Sequence, residues 1–333
     1  MTTINGLSGI VNQGNTCFLN SALQCLLHTD LLVNYFINKE FMEELVHKKI
    51  NLSKAFYYVA KGYWEDNCII QPVMFLKMLF KIDNKYQNLD QQDAHEVLIT
   101  ILDELHKTLE YNVSINSIKT QDIELSETDK DKIKSIEFKK IFFKSKYSKI
   151  IDIFFGQYQT IIDCPNCDYI SKSYQMFNSL TLPLSQNTKT IYDCLKLFFA
   201  DEKIEGWKCE KCKENVDISK TNNFWEFPNI LIIKFVRFNT LLNKNNKFID
   251  FPLNKLNLCS YYQYGKTIPI YDCYGIINHS GGVNGGHYTA FCKTADNNWH
   301  LFNDTRVSEV STEKVVTNQA YVLFYKLNQS YQK

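Results

Sequence analysis

The sequence predicts an α+β fold, with helices in its N-terminal part and a mostly antiparallel sheet in its C-terminal part. Three stretches before about residue 110 carry apolar residues at helical spacing. From about residue 150 onward, short runs of β-branched and aromatic residues dominate instead. Helices and strands that are segregated along the chain are typical of the α+β class. With 333 residues, of which 45% are hydrophobic, the chain is long enough to bury a large core.

The helical part is predicted from three apolar patterns. Leucines recur at helical spacing within residues 15–36, which indicates the first helix. A second helical stretch is expected near 69–82, with its start after Gln71-Pro72, and a third over 90–109, where apolar residues form one face. Residues 111–148 are rich in Lys, Asp, Glu and Ser. We expect this segment to be an exposed, partly helical insertion without chemistry of its own.

The strand-rich part is predicted from short runs that are bounded by turn-forming residues. The predicted strands cover residues 150–155, 157–163, 170–177, 230–238, 271–278, 288–292, 299–303 and 320–325. No internal repeat and no low-complexity tail is evident in the sequence.

The formal net charge of +1 gives no general attraction to nucleic acid or to an anionic membrane, so neither is expected as a partner. The first residues lack the pattern of a secretory signal, and the apolar runs are too short to span a bilayer. Eleven cysteines without a secretory signal indicate a reducing compartment. We therefore expect a cytoplasmic or nuclear protein, in which paired cysteines bind metal or do chemistry.

Cys17 is a candidate nucleophile because it lies where a turn of small residues, 14–16, opens the first predicted helix. The thiolate is the reactive form of cysteine, and the unpaired N–H groups of a helix N-terminus favour negative charge. This position is therefore expected to lower the pKa of the thiol. The alternative for the same pattern is a buried structural cysteine.

His287 is the candidate general base. Gly285 and Gly286 precede it and let the backbone come close to a substrate chain. The strand that follows would hold the imidazole rigidly. His279 is the nearest rival among the seven histidines, but it lacks the flanking pair of glycines.

Two further groups complete a nucleophile–base–orienter arrangement. Asn303 or Asp304 would orient the imidazole, and only one of them should face it because adjacent strand residues point to opposite faces. An oxyanion formed at Cys17 needs donors, and the Cys17 backbone N–H is one. The side-chain amide of Asn12 is the candidate second donor, preferred over Gln13.

Two Cys-x-x-Cys pairs, Cys164 with Cys167 and Cys209 with Cys212, have the spacing of a tetrahedral zinc site. Four thiolates leave no open coordination position, so the zinc would be structural. A redox pair and a degenerate site are the alternatives. The other six cysteines are expected mostly in the core: Cys25, Cys68, Cys194, Cys259, Cys273 and Cys292.

Asp93 and Glu96 lie three residues apart at the start of the third predicted helix, so they share one face of it. Acidic groups in this position suit a cationic peptide. They also complement the helix dipole, which is the simpler explanation for acidic residues in a first turn.

Several motifs follow one another in a characteristic order. They are a Cys box at 9–24, Gln-Gln-Asp-Ala-x-Glu at 91–96, Gly-x-x-x-Thr at 156–160, a strand at 228–238, Phe-Pro-Leu at 251–253, a His box at 279–288 and a closing strand at 320–325. In this order they resemble the ubiquitin-specific proteases, which are papain-like cysteine deubiquitinases. The resemblance covers about residues 8–326.

The resemblance implies a papain-like fold within one catalytic domain of about residues 8–327. Its helical thumb would cover about 8–148, its zinc-tipped fingers about 150–227, and its antiparallel palm about 228–327. The resemblance also implies a monomer whose partners are ubiquitin and ubiquitinated proteins.

The implied activity is hydrolysis of the bond after the C-terminal glycine of ubiquitin. Asp93 and Glu96 would then face the basic tail of ubiquitin, and Gly286 would border a channel too narrow for side chains. The position after Phe302 is Asn303, where Asp is commoner in the family, and an amide adds no charge to stabilise the imidazolium. A protease for a ubiquitin-like modifier and a catalytically impaired ubiquitin-binding scaffold remain as alternatives.

Overall fold

The computed structural model describes residues 6–41, 50–65, 67–88, 90–114, 125–238, 243–262, 268–282 and 285–331. It confirms the α+β class: helices dominate the chain up to about residue 110, and two larger sheets are built from the residues that follow the insertion. Within the described ranges, no helix combines the length and the apolar composition needed to cross a bilayer.

The described residues of the N-terminal part form five α-helices. They are α1 (Cys17–Leu27), α2 (Asp30–Ile37), α3 (Leu52–Glu65), α4 (Val73–Ile82) and α5 (Ala94–Leu109). The single helix predicted over 15–36 is broken at Thr29, whose backbone is extended and whose hydroxyl donates to the Cys25 carbonyl at 3.0 Å. Helix α3 was not predicted, although its buried residues recur at helical spacing.

The residues that precede two of these helices determine where each helix begins. Asp93 precedes α5, and its carboxylate accepts hydrogen bonds from the backbone N–H groups of His95 at 2.7 Å and Glu96 at 3.4 Å. Pro72 occupies the corresponding position before α4. Helix α4 therefore starts directly after Pro72, as the sequence predicts, and α5 starts four residues inside its predicted range.

The segment after α5 differs from its prediction in two respects. Its described residues form β1 (Tyr111–Asn112), α6 (Glu127–Phe142), β2 (Lys146–Tyr147) and α7 (Lys149–Phe154), and residues 115–124 lie outside the described ranges. The strand predicted over 150–155 is wrong, because a short apolar run has no period that separates a strand from a buried helix. The insertion is also less exposed than expected, since Asp131 of α6 is buried and pairs with Lys172 at 2.6 Å.

The four-stranded sheet is antiparallel and extends to the cysteine pairs. Its strands are β3 (Gly156–Asp163), β4 (Ile170–Phe177), β6 (Glu202–Lys208) and β7 (Asn215–Glu226), in the order β4-β3-β7-β6. Of these, β6 and β7 were not predicted. In β6 most side chains are exposed and no apolar run marks the strand.

The larger sheet contains the described strands that follow residue 229, together with β5. Its strands are β5 (Leu180–Leu182), β8 (Ile230–Phe235), β9 (Leu256–Asn257), β10 (Ile270–Gly282), β11 (Gly285–Lys293), β12 (Trp299–Asn303), β13 (Arg306–Val310) and β14 (Ala320–Leu327). The order is β13-β12-β11-β10-β14-β8-β5, with β9 beside β10. Among the described strands only β5 and β8 pair in parallel. Helix α8 (Ile191–Phe198) was also not predicted.

The larger sheet separates two hydrophobic cores. Ile277 belongs to the core shared with α1 and α5, whereas its neighbour Ile276 belongs to the core on the opposite face, where α8 packs. A third cluster surrounds the two cysteine pairs. The central strands of the sheet are therefore covered on both faces.

A buried arginine hydrogen-bonds to backbone carbonyl groups at one end of the larger sheet. Arg237 is 1% exposed and donates to the carbonyl oxygens of Ala320, Asn245 and Lys247, at 2.6, 3.0 and 2.9 Å. Because these donors carry a positive charge, the hydrogen bonds are stronger than those between neutral groups.

We predict that Arg237→Leu lowers the free energy of unfolding by about 3 kcal/mol or more, because buried carbonyl groups lose charged donors. Urea denaturation measures this loss. Arg306→Leu, at the chain's other arginine, is the matched control, since Arg306 is exposed. Equal stability of the two variants would contradict the role assigned to Arg237.

Candidate active site

Cys17 is the first residue of α1 and lies against β11. Gly14 and Asn15 adopt positive φ angles of 91° and 53°, which makes the tight turn before the helix. The thiol is 2% exposed, and the backbone N–H of Tyr288 donates to its sulfur. The structure thus brings Cys17 next to the residue that follows His287.

The environment of Cys17 raises the pKa of its thiol, contrary to the sequence-based expectation. Burial is the largest cause; the hydrogen bond from Tyr288 opposes it, and the nearby negative charge of Asp304 adds to it. The N–H groups of Phe18 and of Cys17 itself lower the pKa, but less than burial raises it. The thiol is therefore neutral in the free protein at neutral pH.

Asn303 is the residue that contacts His287. Its Oδ1 lies 2.7 Å from His287 Nε2. Because an amide oxygen only accepts hydrogen bonds, Nε2 is the nitrogen that donates to Asn303, and Nδ1 is not engaged by it. The structure therefore places Asn303, and not Asp304, where the imidazole is oriented.

Asp304 joins the N-terminal loop to α1. Its two carboxylate oxygens accept from the amides of Asn12 at 3.0 Å and Asn20 at 2.7 Å, and its carbonyl accepts from the backbone N–H of Ile10 at 2.8 Å. Asn20 was not identified from the sequence. The signal available in the sequence was an amide three residues after Cys17 in an otherwise mostly apolar helix.

The orientation of the Asn12 amide is fixed from both ends. Its Oδ1 accepts from the backbone N–H groups of Gly14 at 3.1 Å and Thr16 at 3.0 Å, and its Nδ2 donates to Asp304. An amide nitrogen carries two N–H donors, and Asp304 takes one of them. The second remains as a candidate donor beside Cys17.

His279 is excluded as the base by its surroundings. It is 2% exposed and its ring lies against Tyr288, with 4.5 Å between ring centroids. Burial, followed by the charge of Lys244, lowers the pKa of His279 to about 4. A Cβ at Gly286 would lie 2.3 Å from His279 Nε2, so packing against His279 is itself a reason for glycine there.

The residues at the start of α5 contact strands β8 and β11 through several side chains. Gln91 hydrogen-bonds to both the N–H and the carbonyl of Gly286, and Asp93 pairs with Lys234 at 3.1 Å. Glu96 is more exposed and pairs with Lys85 at 2.7 Å. Asp93 and Glu96 thus lie on one turn, but in different environments.

A cleft separates this turn from the strands β10 and β11. It has a volume of about 260 Å³. The lining residues are Gln91, Gln92, Asp93, Phe238, His279, Gly282 and Tyr288. One of its lining residues, Tyr288, is therefore the residue whose backbone N–H acts on the Cys17 sulfur.

The four cysteines of the two Cys-x-x-Cys pairs converge. All four sulfur atoms lie within 4.8 Å of one another, with 3.9 Å between Cys164 and Cys212 and 3.7 Å between Cys167 and Cys209. This cluster could hold a metal ion. Of the six cysteines expected mostly in the core, four are buried and two are exposed, namely Cys68 and Cys259.

We predict that Asp304→Asn lowers the pH at which Cys17 becomes reactive, because the charge of Asp304 raises the pKa of the thiol. Asparagine keeps the size of the side chain and tolerates the φ angle of 52° at this position. Iodoacetamide alkylates Cys17 in the intact protein, and mass spectrometry of the Cys17 peptide gives the rate at each pH. The pH at the inflection of this rate profile is the quantity compared. Asp296→Asn, on an exposed turn, should leave it unchanged, and an unchanged or higher inflection for Asp304→Asn would contradict the prediction.

Known proteins are similar to this chain in sequence and in fold. The family model described as ubiquitin carboxyl-terminal hydrolase matches residues 8–325. The rat protein named ubiquitin carboxyl-terminal hydrolase 21 is 32% identical over 98% of this chain and 62% of its own length. Human ubiquitin carboxyl-terminal hydrolase 2 is 32% identical over 97% of this chain and 55% of its own length. The chain thus spans less than two thirds of these relatives.

Solved structures agree with the sequence comparison. The SAGA Ubp8/Sgf11/Sus1/Sgf73 DUB module bound to ubiquitin aldehyde contains a chain with a TM-score of 0.79 and 27% identity, over 99% of this chain and 71% of that one. A structure of this module bound to monoubiquitin gives a TM-score of 0.79 and 28% identity over the same shares. Since the family match extends over nearly the whole chain, the chain belongs to the ubiquitin carboxyl-terminal hydrolase family.

Proposed function

We propose that this chain is a thiol-dependent deubiquitinase that hydrolyses the isopeptide or peptide bond after the C-terminal glycine of ubiquitin. The observation that carries the proposal is the position of Cys17, whose sulfur accepts from the Tyr288 N–H beside His287, while Asn303 orients that histidine. The related solved chains that are bound to ubiquitin or ubiquitin aldehyde support ubiquitin as the substrate.

The first chemical step is proton transfer within the pair of Cys17 and His287. Nδ1 of His287 accepts the thiol proton because Nε2 is held by Asn303. The sulfur then attacks the carbonyl carbon of the terminal glycine, and a tetrahedral oxyanion forms. His287 returns the proton to the leaving amine, and water hydrolyses the thioester.

The charge of the oxyanion is stabilised by the Cys17 backbone N–H and the second N–H of Asn12. Asp304 acts as a positioning group here, since it holds Asn12 and does not contact His287 in the described contacts. Because burial raises the pKa of Cys17, the thiol keeps its proton until the substrate is attacked. Proton transfer then accompanies attack.

We assign the substrate tail to the cleft between α5 and the strands β10 and β11, with Glu96 and Asp93 at its acidic side and Gly286 at its narrow end. In this assignment residues 8–148 form the thumb, 150–227 the fingers and 228–327 the palm. Ubiquitin would lie across them, and one copy of the chain suffices for the reaction.

We assign structural zinc to the four converging cysteines. A tetrahedron with Zn–S bonds of about 2.3 Å has edges of about 3.8 Å. The observed sulfur separations of 3.7 and 3.9 Å support this geometry. Cys164, Cys167, Cys209 and Cys212 would hold the ion and take no part in the reaction.

The function is tested by covalent labelling with ubiquitin that carries a thiol-reactive group at its C-terminus. We expect an adduct on Cys17 that is lost in Cys17→Ala and retained in Cys68→Ala, which alters an exposed cysteine elsewhere. Peptide mass spectrometry locates the adduct. Labelling only by probes made from ubiquitin-like modifiers would indicate that such a modifier, and not ubiquitin, is the substrate. Ubiquitin binding without any adduct would indicate a scaffold.

The zinc assignment predicts that Cys209→Ser releases the metal and lowers Tm, because a structural metal contributes directly to folding. Elemental analysis of the purified protein should find one zinc per chain in the wild type and much less in the variant. Cys259→Ser, at an exposed cysteine outside the cluster, should keep both metal and Tm. Zinc content equal in the wild type and Cys209→Ser would refute the assignment.

A further inference from the structure

Asp93 is enclosed by groups of the chain itself. Its Oδ2 accepts from the Tyr321 hydroxyl at 2.6 Å and from Lys234 Nζ at 3.1 Å, while its Oδ1 caps α5 through the N–H groups of His95 and Glu96. Tyr321 lies on β14 and Lys234 on β8. One carboxylate therefore joins the first turn of a helix to two neighbouring strands of the larger sheet.

The three side chains form a compact cluster. The Tyr321 ring is 1% exposed, and Lys234 Nζ lies 5.4 Å from its centroid. The Lys234 and Asp93 side chains are 21% and 32% exposed. Burial alone would raise the pKa of Asp93, but the charge of Lys234 and the hydrogen bonds from Tyr321 and Lys234 lower it. The carboxylate is thus ionised and already supplied with donors.

The position of this turn sets one wall of the cleft. Asp93 lines the cleft on the helix side, and His279 and Tyr288 line the strand side. The backbone N–H of Ala94 donates to the Tyr288 hydroxyl, so the two walls also touch. A shift of the turn would therefore change the width of the cleft and the surroundings of Tyr288.

We propose that Lys234 is a positioning residue, which together with Tyr321 holds Asp93 and so fixes the first turn of α5 at the distance from β10 and β11 that the substrate tail requires. This inference rests on the proposed function. It assigns Asp93 to the support of the cleft and not to a direct ion pair with a cationic tail.

The two roles of Asp93 predict opposite effects of removing Lys234. If Lys234 positions the turn, its loss loosens one wall and weakens binding of the tail. If Asp93 binds a cationic tail directly, Lys234 is a competitor, and its loss strengthens binding. The sign of the change in KM therefore decides between the roles.

The experiment compares hydrolysis of a fluorogenic C-terminal amide of ubiquitin by the wild type, Lys234→Met, Lys234→Arg and Lys326→Met. We expect KM to rise about fivefold or more in Lys234→Met with kcat within about twofold, because binding and not chemistry is affected. Lys234→Arg, which keeps a cation and a donor, should restore KM. Lys326→Met is the matched control: Lys326 also ties a helix start to this sheet, through Asp30, but both partners are exposed.

Hydrogen exchange at the backbone amides of His95 and Glu96 provides a readout that does not need ubiquitin. It should be faster in Lys234→Met than in the wild type and unchanged in Lys326→Met. Tyr321→Phe, which removes one hydroxyl, should show the same direction if Lys234→Met does not fold.

A lower or unchanged KM in Lys234→Met would overturn the proposal, as would unchanged exchange at the two amides. A wild-type protein without ubiquitin turnover would instead refute the proposed function. In that case faster exchange in Lys234→Met would still establish that Lys234 holds the turn.

Discussion

The packing of α1 against β11 is the constraint on which the candidate site depends. Cys17 and His287 lie near opposite ends of the chain, and neither helix nor strand alone would bring them together. All residues of α1 are buried, and the Tyr288 N–H reaches the Cys17 sulfur. Because a buried helix has little freedom to shift in a close-packed core, the relative position of the two residues is fixed by the fold. The cost is a desolvated thiol whose pKa is raised.

Polar side chains within this interface give the site its finer geometry. Asp304 binds the amides of Asn12 and Asn20, so it connects the loop before Cys17 with the first turn of α1. Its own backbone has a positive φ of 52°, a conformation that Asp tolerates better than most residues. Asn303, one position earlier, orients His287. Within the proposed function, these two adjacent residues thus serve the base and the oxyanion donor separately.

The features that could be predicted from the sequence are those that depend on local residue patterns. Strands 170–177 and 299–303 have the predicted bounds, and the cysteine pairs were found from their spacing. The run 150–155 was assigned wrongly because tertiary packing, and not its composition, decides that it is helical. Asn20 and Lys234 were not identified because their partners lie far away in the chain. The direction of the Cys17 pKa also required the structure, since burial is invisible in a motif.

The two acidic residues at the start of α5 illustrate this limit further. From their spacing they share one face, yet Asp93 is held by Lys234 and Tyr321, whereas Glu96 has a side chain that is 55% exposed and a single lysine partner. An exposed ion pair contributes little stability and exchanges readily with another cation. Within the proposed function, Glu96 therefore recognises the basic tail. Asp93 instead holds in place the first turn of α5, which carries Glu96. Two acidic residues of one motif thus have different physical roles, because Asp93 is more buried than Glu96.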